Sequence, residues 1–155
     1  MKKPKNPLEI TNRLIPYIYV FFQFLFIGLI LVTGPIIANS PGLLLIEISG
    51  IVLGLWSIWS MGLGNFNITP KTVSGGRLMT TGPYRIIRHP MYTAIFLTLI
   101  PLIIENPGIV RVSLFGALVV TLCIKCRYEE RLLIDHYQGY EAYQQQTWRV
   151  VPYVY

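Results

Sequence analysis

Between Arg13 and Glu47 the chain carries no charged side chain, and no other feature of the sequence restricts its fold as much. Residues 14–37 are apolar enough to cross a hydrocarbon core of ~30 Å, which takes about 20 helical residues. Lipid leaves no solvent partner for backbone N–H and C=O groups, so such a stretch closes its own bonds as a helix. Lys2, Lys3 and Lys5 precede the run and Ala38-Asn39-Ser40 faintly resembles a cleavage site. The run is nevertheless longer than the h-region of a signal peptide, about 7–15 residues, and reads as a retained anchor. Composition agrees, with 53% hydrophobic and 13% charged residues against about a quarter charged in soluble domains.

Asn39-Ser40-Pro41-Gly42 is dense in turn formers, and apolar sequence then resumes over residues 43–63. Glu47, near the outer end of that second span, suits snorkelling or a helix–helix hydrogen bond. Residues 65–88 read as a polar, glycine-containing, basic loop. Pro90 suits the first turn of a third helix, where a missing N–H removes no helical bond. Its apolar run, 91–104, is short for a full span. Glu105-Asn106-Pro107-Gly108 breaks it, and residues 109–124 form a fourth segment whose helix continues to about His136, since no glycine or proline intervenes.

The expected fold is all-α, a single polytopic membrane domain over residues 1–155 with about four transmembrane helices in two hairpins. Residues 1–64 supply the N-terminal hairpin; residues 65–155 supply a loop, a helical hairpin and a tail. With the N-terminus in the cytoplasm, Lys2, Lys3, Lys5, Arg13, Lys71, Arg77, Arg85, Arg88, Lys125, Arg127, Arg131 and Arg149 fall on one side and Arg111 alone on the other. This bias predicts cytoplasmic N- and C-termini. It also explains the net charge of +6, so no nucleic-acid partner is expected. Cys123 and Cys126 lack a second pair, and His89 and His136 are remote in sequence, so no metal site is expected.

Two charged segments sit at helix ends on the predicted cytoplasmic face. The first runs from Thr81 through Gly82-Pro83-Tyr84-Arg85 to Arg88-His89-Pro90-Met91-Tyr92; the second is Arg127-Tyr128-Glu129-Glu130-Arg131, followed by Tyr140 and Tyr143. His89 and Tyr92, three apart, share one side of a helix. Glu129 and Glu130 need solvent or a cation at a membrane boundary, and Arg85, Arg88 or Arg127 can provide the latter. On chemistry alone two readings stand. The groups are interfacial anchors, an aromatic belt and a solvated helix end, or they hold a ligand with a cationic centre that tyrosine faces favour.

Gly82-Pro83-Tyr84, Arg88-His89-Pro90-x-Tyr92, Arg127-x-Glu129-Glu130 and Tyr140-x-x-Tyr143, in this order and spacing over residues 75–152, resemble the isoprenylcysteine carboxyl methyltransferase family and its bacterial and archaeal relatives. Phospholipid N-methyltransferases are more distantly similar. The resemblance implies S-adenosylmethionine as cofactor, bound between the Arg-His-Pro segment and the glutamate helix on the cytoplasmic side of the C-terminal half. It implies cofactor contacts from Tyr84, His89, Pro90, Met91, Tyr92 and Glu130, with residues 76–79, Leu78 and Met79 among them, contributing from the loop. Arg127 corresponds to an arginine that meets the acceptor's carboxylate, and Arg88, Arg127 and Glu129 are the candidate catalytic residues. Ala94 stands where many relatives have glycine, and the stretch Tyr137-Gln138-Gly139-Tyr140 is one residue short of the usual pattern. The implied acceptor is lipophilic, either a small molecule or a lipid-modified substrate, drawn from among membrane lipids. Carboxyl O-methylation, ethanolamine N-methylation, an NADPH-dependent membrane reductase of related architecture and a non-catalytic scaffold are the competing functions.

Overall fold

The computed structural model describes residues 7–62 and 78–153, with side chains from residue 14 onward. Every regular element among them is helical: α1 (Pro7–Val32), α2 (Pro41–Met61), a 3-10 turn (Gly82–Arg85), α3 (Pro90–Glu105), α4 (Ile109–His136) and α5 (Tyr140–Gln146). Three helices, Leu14–Val32, Pro41–Met61 and Ile109–His136, are long and apolar enough to cross a membrane. α3 has 16 residues, a rise of about 24 Å, short of the ~30 Å hydrocarbon core. Its brevity matches the short apolar run from which it was expected.

Helix ends follow local chemistry. Pro41 and Pro90 open α2 and α3 at the first helical positions, where proline's fixed φ is an asset. α1 stops at Val32 rather than near residue 37, because Gly34-Pro35 follows and proline pushes its predecessor out of helical geometry. Thr33 Oγ1 then donates to the Leu29 carbonyl at 2.7 Å. α4 runs unbroken to His136, as its lack of glycine and proline after Gly116 implies.

The packing differs from two self-contained hairpins. The most extensive helix contact is α2 against α3, followed by α1 against α4. Gly50 and Gly54, four apart on α2, explain the first: a Cβ on Gly50 would lie 2.7 Å from the Thr98 backbone nitrogen, and one on Gly54 3.4 Å from the Ala94 methyl. Small residues at this spacing let two backbones approach closely in lipid, where dispersion rather than hydrophobicity holds helices together. Ile30 from α1 meets Leu118 and Leu122 from α4 in a core completed by Tyr92, Leu99, Leu102, Cys126 and Val150.

This antiparallel arrangement gives the bundle two distinct ends. At one, the buried Glu47 accepts from the Ala38 backbone N–H at 2.9 Å, closing the α1–α2 turn, while Arg111 reaches the carbonyls of Asn106 and Pro35. At the other end lie the close of α2, the 3-10 turn, the start of α3 and the charged end of α4. Among the described residues, Arg85, Arg88, Lys125, Arg127, Arg131 and Arg149 gather there and Arg111 alone stands at the opposite end.

Candidate functional site

Arg88 and His89 immediately precede the first turn of α3, and Glu129 and Glu130 are successive on α4. Packing of α3 beside α4 brings them together although Arg88 and Glu130 are 42 residues apart in the chain. Arg88 Nε donates to Glu130 Oε1 at 2.9 Å, and Arg149 Nη2 lies 2.6 Å from Oε2 of the same carboxylate. Arg88 Nη1 also donates to the Gln144 carbonyl at 2.8 Å and to the Thr147 carbonyl. The guanidinium thus caps carbonyls at the end of α5 that have no helical donor.

Glu129 faces the other way. Tyr92 OH donates to its Oε2 at 2.6 Å, and Lys125 Nζ lies 3.8 Å from its Oε1. Lys125, itself buried, donates to Gln23 Oε1 on α1 at 2.7 Å and stands 5.3 Å from the Tyr92 ring centre. His89 sits between the two carboxylates, Nδ1 3.5 Å from Glu129 and Nε2 3.6 Å from Glu130, its ring stacked on that of Tyr92. Three cations therefore enclose two carboxylates. Burying such charges is tolerable because each carboxylate is paired and hydrogen-bonded.

A polar rim surrounds the cluster. Residues 86–89 pair with the C-terminal strap: Trp148 N–H donates to the Ile86 carbonyl, and the Arg88 and His89 N–H groups donate to Trp148 and Arg149. Tyr143 OH donates to the Tyr84 carbonyl at 2.6 Å. The hydroxyls of Tyr84 and Tyr140 and Nε2 of His89 are buried without a hydrogen-bond partner among the described residues, a condition native interiors rarely leave unused. Burial pushes the Tyr84 and Tyr140 phenols well above their ordinary value, so both remain neutral donors at physiological pH. Beside the rim an open cleft of about 490 Å³ is lined by Leu78, Thr80, Arg85, Tyr143, Gln146 and Thr147, among others.

The structure thus joins Arg88, His89, Tyr92, Glu129 and Glu130 in one cluster, with Tyr84 tied to its rim. Pro90 is buried at the start of α3, Met91 and Met79 are half-buried, and Leu78 lines the cleft. Arg127 is exposed, with no hydrogen bond or ion pair among the described residues. Residues 76 and 77 lie outside the described residues. Sequence reasoning missed Lys125, Gln23 and the grip of Arg149. The first had a signal, since Lys125 precedes Glu129 by one helical turn.

His89, Cys126 and Glu130 each offer a metal-ligand atom within 4.8 Å of one another. Both Glu130 oxygens, however, already face guanidinium groups. A dication there would sit against two fixed positive charges, and the donor set is that of an ion-pair network.

Fold and cluster together define a class: a helical integral membrane protein whose polar machinery is buried at one end of the bundle. The chain belongs to the phospholipid methyltransferase family, whose model matches residues 37–139; these are the membrane methyltransferases that its motifs resemble. No curated protein and no solved structure matches the chain significantly. The matched region contains α2, α3, α4 and every member of the cluster except Arg149 and Gln23.

Proposed function

We propose that this chain is an S-adenosylmethionine-dependent methyltransferase acting on a lipophilic acceptor by carboxyl O-methylation of an isoprenylcysteine-like substrate. The observation that carries the reading is the meeting of the Tyr84-to-Tyr92 segment with Glu129 and Glu130 at one end of the bundle, beside an open cleft.

The residues fit the cofactor. Tyr84 OH and Tyr140 OH are buried and make no hydrogen bond among the described residues, groups suited to a polar nucleoside and amino acid. The Tyr92 ring and Glu129 already hold one cation, the Lys125 ammonium, the kind of centre that these groups favour. The cleft lies beside the cluster, lined by Leu78, Thr80 and Arg85 on one side and by Tyr143, Gln146 and Thr147 on the other. Tyr84, His89, Pro90, Met91, Tyr92 and Glu130 would hold the cofactor, with Leu78 at the cleft and Met79 next to it in the chain. When bound, it supplies a methyl group on a positively charged sulfur.

Arg88 fixes the Glu130 carboxylate, and Tyr92 fixes that of Glu129. The exposed Arg127 is available to an acceptor carboxylate arriving sideways from the bilayer. Such an acceptor needs no general base, so alignment and exclusion of water account for the rate, and proximity alone contributes ~7–11 kcal/mol. The basic residues at this end support a cytoplasmic site with both termini on that side. Ethanolamine N-methylation is the second reading, favoured by the name of the matched family; there His89 or Glu129 would take the amine proton.

Calorimetric titration of the detergent-solubilised protein with S-adenosylhomocysteine and with NADPH tests the cofactor. Binding of NADPH alone would point to a reductase and overturn the proposal. Radiolabelled methyl donor, offered with a prenylcysteine analogue or phosphatidylethanolamine, should give a base-labile ester from the first. Base-stable label from the second would establish the amine reading instead.

A further inference from the structure

Residues 147–153 close over the charged cluster, yet their outer face is apolar. The Trp148 and Tyr153 rings meet at a tilted angle with centres 5.2 Å apart, and the Trp148 backbone N–H donates to the Ile86 carbonyl, which brings Ile86 beside the strap, where Val151 lies between the two aromatic residues in sequence. All four are exposed: Ile86 55%, Trp148 39%, Val151 43% and Tyr153 86%. The inner face is committed elsewhere, with Arg149 on Glu130, Val150 in the core and the Val150 carbonyl accepting from Thr93 at 2.6 Å.

The height of this patch follows from the 3-10 turn. Gly82 lies against Ser60 and Trp56 near the close of α2, where Trp56 and Trp59 are themselves exposed. Ile86 is therefore level with the end of a membrane-spanning helix, the depth at which Trp and Tyr concentrate. Arg85, Arg127 and Arg131 are exposed at the same end. An apolar patch beside arginines complements an anionic bilayer surface, which attracts basic side chains lying close to it. A second copy of the chain would instead bring like charges together.

We propose that the C-terminal strap is an interfacial anchor: Ile86, Trp148, Val151 and Tyr153 bed into the headgroup region of the bilayer and so hold Arg149 on Glu130. This does not depend on the methyl-transfer reading.

The test uses Trp148 as a depth probe. In the Trp56→Phe/Trp59→Phe double variant, reconstituted in phosphatidylcholine–phosphatidylglycerol vesicles, Trp148 is the remaining tryptophan. Lipid brominated near the carbonyl end of its acyl chains should quench emission strongly, with less loss from bromine deep in the chain and little from iodide in the water. Quenching by iodide with no effect of brominated lipid would overturn the proposal. So would stronger quenching from the deep position, or protection from both quenchers, which would indicate a protein partner or a second copy. Should the double variant not insert, the difference in quenching between the unaltered protein and Trp148→Phe reads the same depth.

Discussion

Replacing Glu130 with glutamine keeps the shape of the side chain and removes the charge that two guanidinium groups share. Distance alone would rank Arg149, at 2.6 Å, above Arg88, at 2.9 Å. Solvent reverses the order. The Arg88 and Glu130 side chains are 9% and 4% exposed, whereas that of Arg149 is 26% exposed and can recover hydration. Breaking a buried pair leaves an uncompensated charge and costs about 3–5 kcal/mol, while a solvated pair is worth about 0–1 kcal/mol. Arg88 cannot swing out to water without also giving up the carbonyls of Gln144 and Thr147. The new amide can still accept one hydrogen bond, which returns about 1 kcal/mol. The expected destabilisation of Glu130→Gln is thus about 3 kcal/mol, read from denaturant unfolding in detergent. Double-mutant cycles sharpen the test: coupling to Arg88→Met should reach about 2–3 kcal/mol and coupling to Arg149→Met stay below about 1. Equal couplings, or a larger one to Arg149, would refute the argument that burial outweighs distance here.

Gly50→Ala should destabilise the protein by about 1–3 kcal/mol, because its methyl would meet the Thr98 backbone nitrogen at 2.7 Å. Gly54→Ala, with an ordinary 3.4 Å contact, should be nearly neutral in the same unfolding assay. Gln23→Leu removes the 2.7 Å acceptor of the buried Lys125 ammonium and should cost about 1–3 kcal/mol; Gln23→Glu should recover most of it. Tyr143→Phe loses the bond to the Tyr84 carbonyl, about 1 kcal/mol. Burial pushes the Tyr143 phenol up to about 12 from an ordinary 10, so the fold favours its neutral form. Its contribution is whole below pH 10 and declines as pH rises through 12, and unfolding against pH should show the difference between parent and variant shrinking across that window.

Helix positions were legible because membrane segments announce themselves by missing charge and are bounded by proline and glycine, as at 34–35, 41–42 and 107–108. The turn formers at 39–42 and 105–108 placed α2, α3 and α4 within a few residues, whereas α1 begins and ends several residues earlier than the charge-free run before Glu47. Helix pairing was not legible in the same way. An apolar helix shows lipid and protein the same kind of residue, so hydropathy says nothing about which face packs. Gly50 and Gly54 were the available clue, and they point α2 toward Ala94 and Thr98 on α3. α5 was missed because seven residues are too few to display a helical period.

The cluster divides along a similar line. Arg88, His89 and Tyr92 are neighbours in sequence and Glu129 and Glu130 are adjacent, so local spacing exposes both halves, and the cost of an unpaired carboxylate at a membrane boundary predicts that they meet. What spacing cannot reveal is how the two glutamates divide the protein between them. Glu129 binds Tyr92 of α3 and Lys125, which reaches Gln23 of α1. Glu130 binds Arg88, and through it the end of α5, together with Arg149 of the strap. Because successive helical residues point about 100° apart, one dipeptide on α4 reaches both α1 through Lys125 and the C-terminal strap through Arg149. Gln23 is a buried amide within α1, alone of its kind among the described side chains of that helix, and such a group in lipid needs a partner. It is therefore the residue from which the link between the N-terminal helix and the cluster follows most directly.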